Sequence, residues 1–142
     1  MNVFDIIGPI MIGPSSSHTA GAARIGRMAG ALLGAPAVQA EIRLHGSFAK
    51  TYRGHGTDKA LIAGIPDHIE GAHPNTALVT LTAADGRCVS VQGASIGGGS
   101  ILITKVNGMA VEITGQYATL IVLHRDAPGT IAAVTECLGS YG

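Results

Sequence analysis

Two short runs place imidazoles beside hydroxyls and glycines, and any chemistry this chain performs is concentrated there. The first is Gly13-Pro14-Ser15-Ser16-Ser17-His18-Thr19, with four hydroxyls and one histidine just ahead of an apolar repeat of helical period. A helix start presents unpaired backbone N–H groups and about half a positive charge, so this run is an anion seat suited to a carboxylate or a phosphate. The same dipole disfavours imidazolium and keeps His18 neutral, as a base or an acceptor. Capping by itself needs only one hydroxyl. The second run, Gly54-His55-Gly56-Thr57-Asp58, carries a histidine between glycines immediately before a second helix start. Glycines there let a ligand approach the backbone closely, and they also serve any tight loop that enters a helix.

Two further runs are weaker. In His73-Pro74-Asn75-Thr76 the proline fixes the backbone and Asn75 offers both a donor and an acceptor, so loop rigidity and ligand contact explain it equally well. Ser95-Ile96-Gly97-Gly98-Gly99-Ser100 is glycine-rich, but no lysine or helix signal follows and G-x-G-x-x-G is absent. A bulged or closely packed backbone fits it better than phosphate binding. A serine beside a histidine does not make a hydrolase, because the G-x-S-x-G elbow is missing.

These runs need elements to hold them. Ala22, Ile25, Met28, Ala29, Leu32 and Leu33 recur at three and four, with Arg24 and Arg27 off that stripe, which predicts a helix over residues 15–33. One of Ser15, Ser16, Ser17 or Thr19 caps it, and Gly34 with Pro36 ends it. Alternation at Ala40, Ile42 and Leu44 predicts a half-buried strand closed by Gly46-Ser47. A shorter helix follows, capped by Thr57 and continued by Ala60, Leu61 and Ala63. From Thr76 onward the texture is β, with Asp85-Gly86 and Asn107-Gly108 as the turns of two antiparallel hairpins. The order predicts an α+β fold: a mixed, largely antiparallel sheet with helices on one face. Residues 117–123 read as a strand, 124–130 as a turn, and an apolar helix runs on to Leu138. This incomplete βα unit must lean on the rest of the chain or on another chain.

The chain has 142 residues, zero formal net charge, 13% charged residues and no tryptophan. It is large enough to fold on its own core. Singly spread basic residues and few aromatics give no footprint for nucleic acid. The apolar run Ile6–Pro14 is broken by Gly8, Pro9, Gly13 and Pro14, so it is neither a signal nor a membrane span, and a cytoplasmic location is expected. Cys88 and Cys137, without C-x-x-C spacing, read as reduced core thiols rather than a metal site. So little charge implies that protein covers part of the surface, in a homo-oligomer or a complex.

At GPSSSHTAGAARIGRMA the chain resembles the β subunit of bacterial iron-sulfur-dependent L-serine dehydratases, and GHGTDKA, HPNT and SIGGG match in the same order. The resemblance implies that residues 1–115 form the serine dehydratase β domain, which is substrate-binding-like. Residues 116–142 resemble the opening of an ACT domain and form an incomplete ACT-like segment. It further implies a separate α subunit holding a [4Fe-4S] cluster, no PLP, and conversion of L-serine to pyruvate and ammonia. In that mechanism an iron not ligated by cysteine acts as Lewis acid on the serine hydroxyl while a base takes the α proton. By position, His55 and His18 would be the catalytic residues, with His55 leading for proton abstraction. Ser15, Ser16, Ser17, Thr19, Gly54, Thr57 and Asn75 would bind substrate. This chain would ligate no metal, since two cysteines cannot supply the three thiolates of such clusters. The rival is a non-catalytic amino-acid or anion sensor, because the family's β domain is similar to the regulatory domain of D-3-phosphoglycerate dehydrogenases. A scaffold that merely completes the α chain is a third option.

Overall fold

The computed structural model describes residues 18–55, 65–66, 73–125 and 127–141, without the side chains of Arg53, His55, Ile65 and Pro66. Helix α1 (Ala20–Leu33) buries Gly21, Ala22, Ile25, Ala29 and Leu33; of the apolar stripe expected from the spacing, Met28 is partly buried and Leu32 is exposed. It starts later than residue 15: Thr19 occupies the cap position, without a side-chain capping bond. Gly34 ends it in the left-handed conformation and donates its N–H to Gly30 O at 3.2 Å.

Strand β1 (Ala37–Leu44) buries only Ile42 and Leu44. Gly46-Ser47 does not simply close this strand, as expected from the sequence; it opens helix α2 (Ser47–His55). The reason is steric and local. Gly46 has φ +60, and a Cβ there would lie 2.3 Å from Pro74 O, so only glycine can bring the chain this close before it coils. Ser47 N donates to that same carbonyl at 2.7 Å, and Lys50 N donates to Gly46 O at 3.1 Å to begin the helix. Phe48 then turns inward and is fully buried. The helix expected from Thr57 lies outside the described residues.

Strand β2 (Ile65–Pro66) pairs parallel with β1 at one edge of the sheet. The remaining strands, β3 (Thr76–Ala83), β4 (Cys88–Gly97), β5 (Ser100–Val106) and β6 (Met109–Ile113), are antiparallel, in the order β2-β1-β3-β4-β5-β6. The α+β expectation therefore holds. Asn107 (φ +49) and Gly108 (φ +80) form the two-residue turn that Asn-Gly predicts. The Asp85-Gly86 hairpin differs in detail: its loop is Ala84-Asp85-Gly86, and only Gly86 takes positive φ. Its N–H reaches Ala83 O at 3.0 Å while Ala83 N donates to Arg87 O at 2.8 Å, the three-residue loop next commonest in hairpins. The glycine run 97–99 makes a third hairpin, joining β4 to β5.

Helix α1 lies over β3, β4 and β5, and the core forms between them from Ile25, Val79, Val91, Ile101 and Ile103. Contact is close enough that a Cβ on Gly93 would stand 2.7 Å from Ile103 Cδ1 and 3.2 Å from Ile25 Cγ1. Beyond β6 the expectations fail in part. Residues 117–123 form no strand, because an extended segment gains its hydrogen bonds only from a neighbouring strand and none lies beside it among the described residues. Helix α3 (Thr130–Ser140) forms as expected but buries no residue. Both thiols are free and exposed rather than in the core: Cys88 opens β4 at the hairpin end, and Cys137 sits on α3. No described helix is long and apolar enough to cross a membrane.

Candidate functional site

His18 stands just ahead of α1, and the fold brings it to the start of α2. Its Nε2 lies 3.2 Å from Ser47 Oγ, and its ring meets Phe48 edge-on with centroids 5.2 Å apart. The Ser47 hydroxyl donates in turn to Asn75 Oδ1. Asn75 is locked to β4 by two bonds: its Nδ2 donates to Ser95 O at 3.5 Å, and Ser95 N donates to Asn75 O at 3.0 Å. Its own N–H donates to His73 Nδ1 at 3.2 Å. Residues far apart in sequence thus form one chain of hydrogen bonds running from the start of α1 to the sheet.

The electrostatic consequence is that two helix N-termini meet at His18. Each carries about half a positive charge and unpaired N–H groups, so a negative charge placed beside His18 would be favoured by both. The second of these helices, α2, starts at Ser47. Ser95 adds a further feature: it is fully buried, and its Oγ has no hydrogen-bond partner. The hydroxyl faces the first turn of α1 so closely that a Cβ on Gly21 would lie 2.0 Å from it. Arg24, one turn further along α1, donates to Gly99 O at 2.9 Å and to Gly115 O at 3.5 Å, tying the glycine turn and the end of β6 to the same helix.

Of the residues singled out in the sequence, His18, Thr19 and Asn75 are brought to this place, Thr19 buried at the head of α1. Gly54 and His55 instead close α2. They stand at a helix C-terminus, where the backbone presents carbonyl groups; the helix entry expected at Thr57 lies outside the described residues. His55 follows Ser47 by eight positions, about 12 Å along the helix axis. Ser15, Ser16, Ser17, Thr57 and the His55 side chain lie outside the described residues. Among those described, no three His, Cys, Asp or Glu side chains gather as a metal site.

Sequence reasoning missed Ser47 and Ser95. Ser47 carried a usable signal, since a serine after glycine and three residues before Lys50 and four before Thr51 suits a helix start. Thr51 Oγ1 does bond back to Ser47 O at 2.7 Å. Ser95 carried none, because its burial depends on how α1 crosses the sheet. A histidine held by a hydroxyl–amide pair, beside two sets of helix-terminal N–H groups, can seat a small anion and exchange a proton with it.

Comparison with known proteins identifies the family. The family model described as "Serine dehydratase beta chain" matches residues 2–70. A Bacillus subtilis protein named "Probable L-serine dehydratase, beta chain" is 43% identical over 167 aligned residues, covering 99% of this chain and 76% of that protein. The L-serine dehydratase beta chain of Peptoniphilus asaccharolyticus is 36% identical, over 96% of this chain and 74% of its own length. The L-serine dehydratase of Streptomyces coelicolor is 37% identical over 88% of this chain, but that match spans only 25% of the larger protein. With two beta chains matched over almost all of its length, this chain belongs to the serine dehydratase beta chain family.

Proposed function

We propose that the chain supplies substrate-orienting and acid/base residues to a cluster-bearing α chain, and that the pair converts L-serine to pyruvate and ammonia. The observation that carries this reading is the meeting of two helix N-termini at His18. A carboxylate on a small amino acid is what such a seat holds best. The hydroxyls of Ser15, Ser16, Ser17 and Thr19 orient it, Gly54 and Thr57 are assigned to substrate with them, and Asn75 acts behind them through Ser47. His55 takes the α proton, and His18 is the second proton-handling group. The serine hydroxyl departs as water, and the resulting aminoacrylate takes up water to release ammonia.

A [4Fe-4S] cluster does not fit this chain's own residues: its two cysteines are exposed and sit on separate elements. The cluster is assigned to the α chain, and no PLP is used; the roles of this chain's side chains pass through neither group. The Streptomyces relative supports a partner, since its matched portion is a quarter of that protein. Residues 1–115 are the β domain of this reading, and residues 116–142 the opening of an ACT domain. The protein works in the cytoplasm, and it self-associates when isolated, as the exposed apolar side chains of α3 suggest.

The test is co-expression with an α chain under anaerobic conditions and a pyruvate assay. His55→Ala and His18→Ala should each lower kcat by on the order of a hundredfold, whereas Ser16→Ala and Ser17→Ala should raise KM. Unchanged turnover in both histidine variants, with serine still bound, would sink the catalytic reading and leave an amino-acid sensor.

A further inference from the structure

The hydrogen-bond chain through Ser47 has a direction, and that direction fixes where the protons sit on His18. The Asn75 amide is oriented by its neighbours: Nδ2 faces the Ser95 carbonyl, which can only accept, so Oδ1 faces Ser47. An amide oxygen cannot donate, so the single hydroxyl hydrogen of Ser47 points at Asn75. Ser47 Oγ then has only lone pairs left for His18, and Nε2 at 3.2 Å must be the donor. Reversing any one bond would set two acceptors or two donors face to face, at a cost of about 1–3 kcal/mol for a shielded polar group.

We infer that Ser47 and Asn75 are positioning residues that hold His18 Nε2 as a donor, so that neutral His18 is the Nε2–H tautomer. Asn75 thereby acts through Ser47 rather than on substrate. The edge-on Phe48 ring keeps the imidazole plane from turning and sits against it as an apolar wall. The backbone builds the relay before any ligand arrives. Ser47 is set by its N–H bond to Pro74 O at 2.7 Å, and Asn75 by its carbonyl bond from Ser95 N at 3.0 Å. The inference rests on the proposed role of His18 only for its functional consequence; the tautomer itself follows from the bonds.

The test begins with the full chain and no partner. In protein labelled with 15N-histidine, the His18 ring nitrogens should read at alkaline pH as a protonated Nε2 and an unprotonated Nδ1. Ser47→Ala should raise the Nδ1–H population several-fold, and Ser47→Thr, which keeps the hydroxyl, should restore the wild-type pattern. Asn75→Ala removes the acceptor that orients the Ser47 hydroxyl, so it should shift the ring toward Nδ1–H as Ser47→Ala does. A wild-type ring protonated on Nδ1 would overturn the inference, as would a tautomer ratio indifferent to Ser47→Ala in a variant that circular dichroism shows to be folded. Turnover in the assembled enzyme separates the two claims. If the tautomer follows Ser47 while His18→Ala leaves kcat intact, the relay stands and the catalytic role of His18 falls.

Discussion

Helices α1 and α3 are both apolar and of similar length, yet one organises the molecule and the other touches almost nothing. Five residues of α1 are buried against the sheet, and its Gly21 admits contact closer than any side chain would allow. None of α3 is buried, and Ile131 on its surface is 72% exposed. The difference is one of partners, not composition. A helix is stabilised mainly by the apolar face it removes from water, and α1 has a sheet to cover while α3 has none among the described residues. Stability and the candidate site therefore lie together, where α1 and α2 start against the sheet.

That contrast yields expectations of decreasing size, read from urea denaturation of the full chain. Gly46→Ala should cost about 3 kcal/mol or more, because the new Cβ combines a positive φ with a collision against the Pro74 backbone. A loss below about 1 kcal/mol would show that the junction between β1 and α2 yields easily, and would weaken the account of how Ser47 is placed. Ile25→Ala removes a fully buried side chain from beneath α1 and should cost about 2–5 kcal/mol. Its counterpart, Ile131→Ala, should change stability by less than about 0.5 kcal/mol. A larger loss at Ile131 in dilute protein would break the contrast, whereas a loss that appears only as concentration rises would report the proposed self-association through α3.

The smallest effect belongs to the β3–β4 hairpin. The Arg87 backbone N–H, and then its guanidinium, hold the Asp85 carboxyl below its ordinary value of 3.8. A depressed carboxyl pKa favours the fold when ionised, so the contribution is present above pH 3.8 and is lost as pH falls through the lower native value. Asp85 is fully exposed, so the effect is small. Asp85→Asn should lower Tm slightly at neutral pH and leave it unchanged well below pH 3.8. A difference that persists in acid would place its origin in the turn backbone rather than in the charge.

Local chemistry was enough for the parts of this protein that depend on near neighbours. The stripe of α1, its end at Gly34 and the Asn107-Gly108 turn were all legible, because a helix face, a left-handed cap and a two-residue turn are set by residues within a few positions of one another. The helix start beside His18 was legible for the same reason, and its charge belongs to the helix. Long-range packing settled the rest. Residues 117–123 have the composition of a strand, but a strand needs another edge to bond with, and composition cannot supply one. Gly46-Ser47 looked like the end of β1 because the carbonyl that turns it into a helix start belongs to Pro74, on a distant loop. His18 and Ser47 lie 29 positions apart, and Ser47 and Asn75 a further 28, so nothing local aligns them. They meet because β1 pairs with β3, Leu44 opposite Ala77, and so carries the chain into α2 beside the loop that holds Asn75.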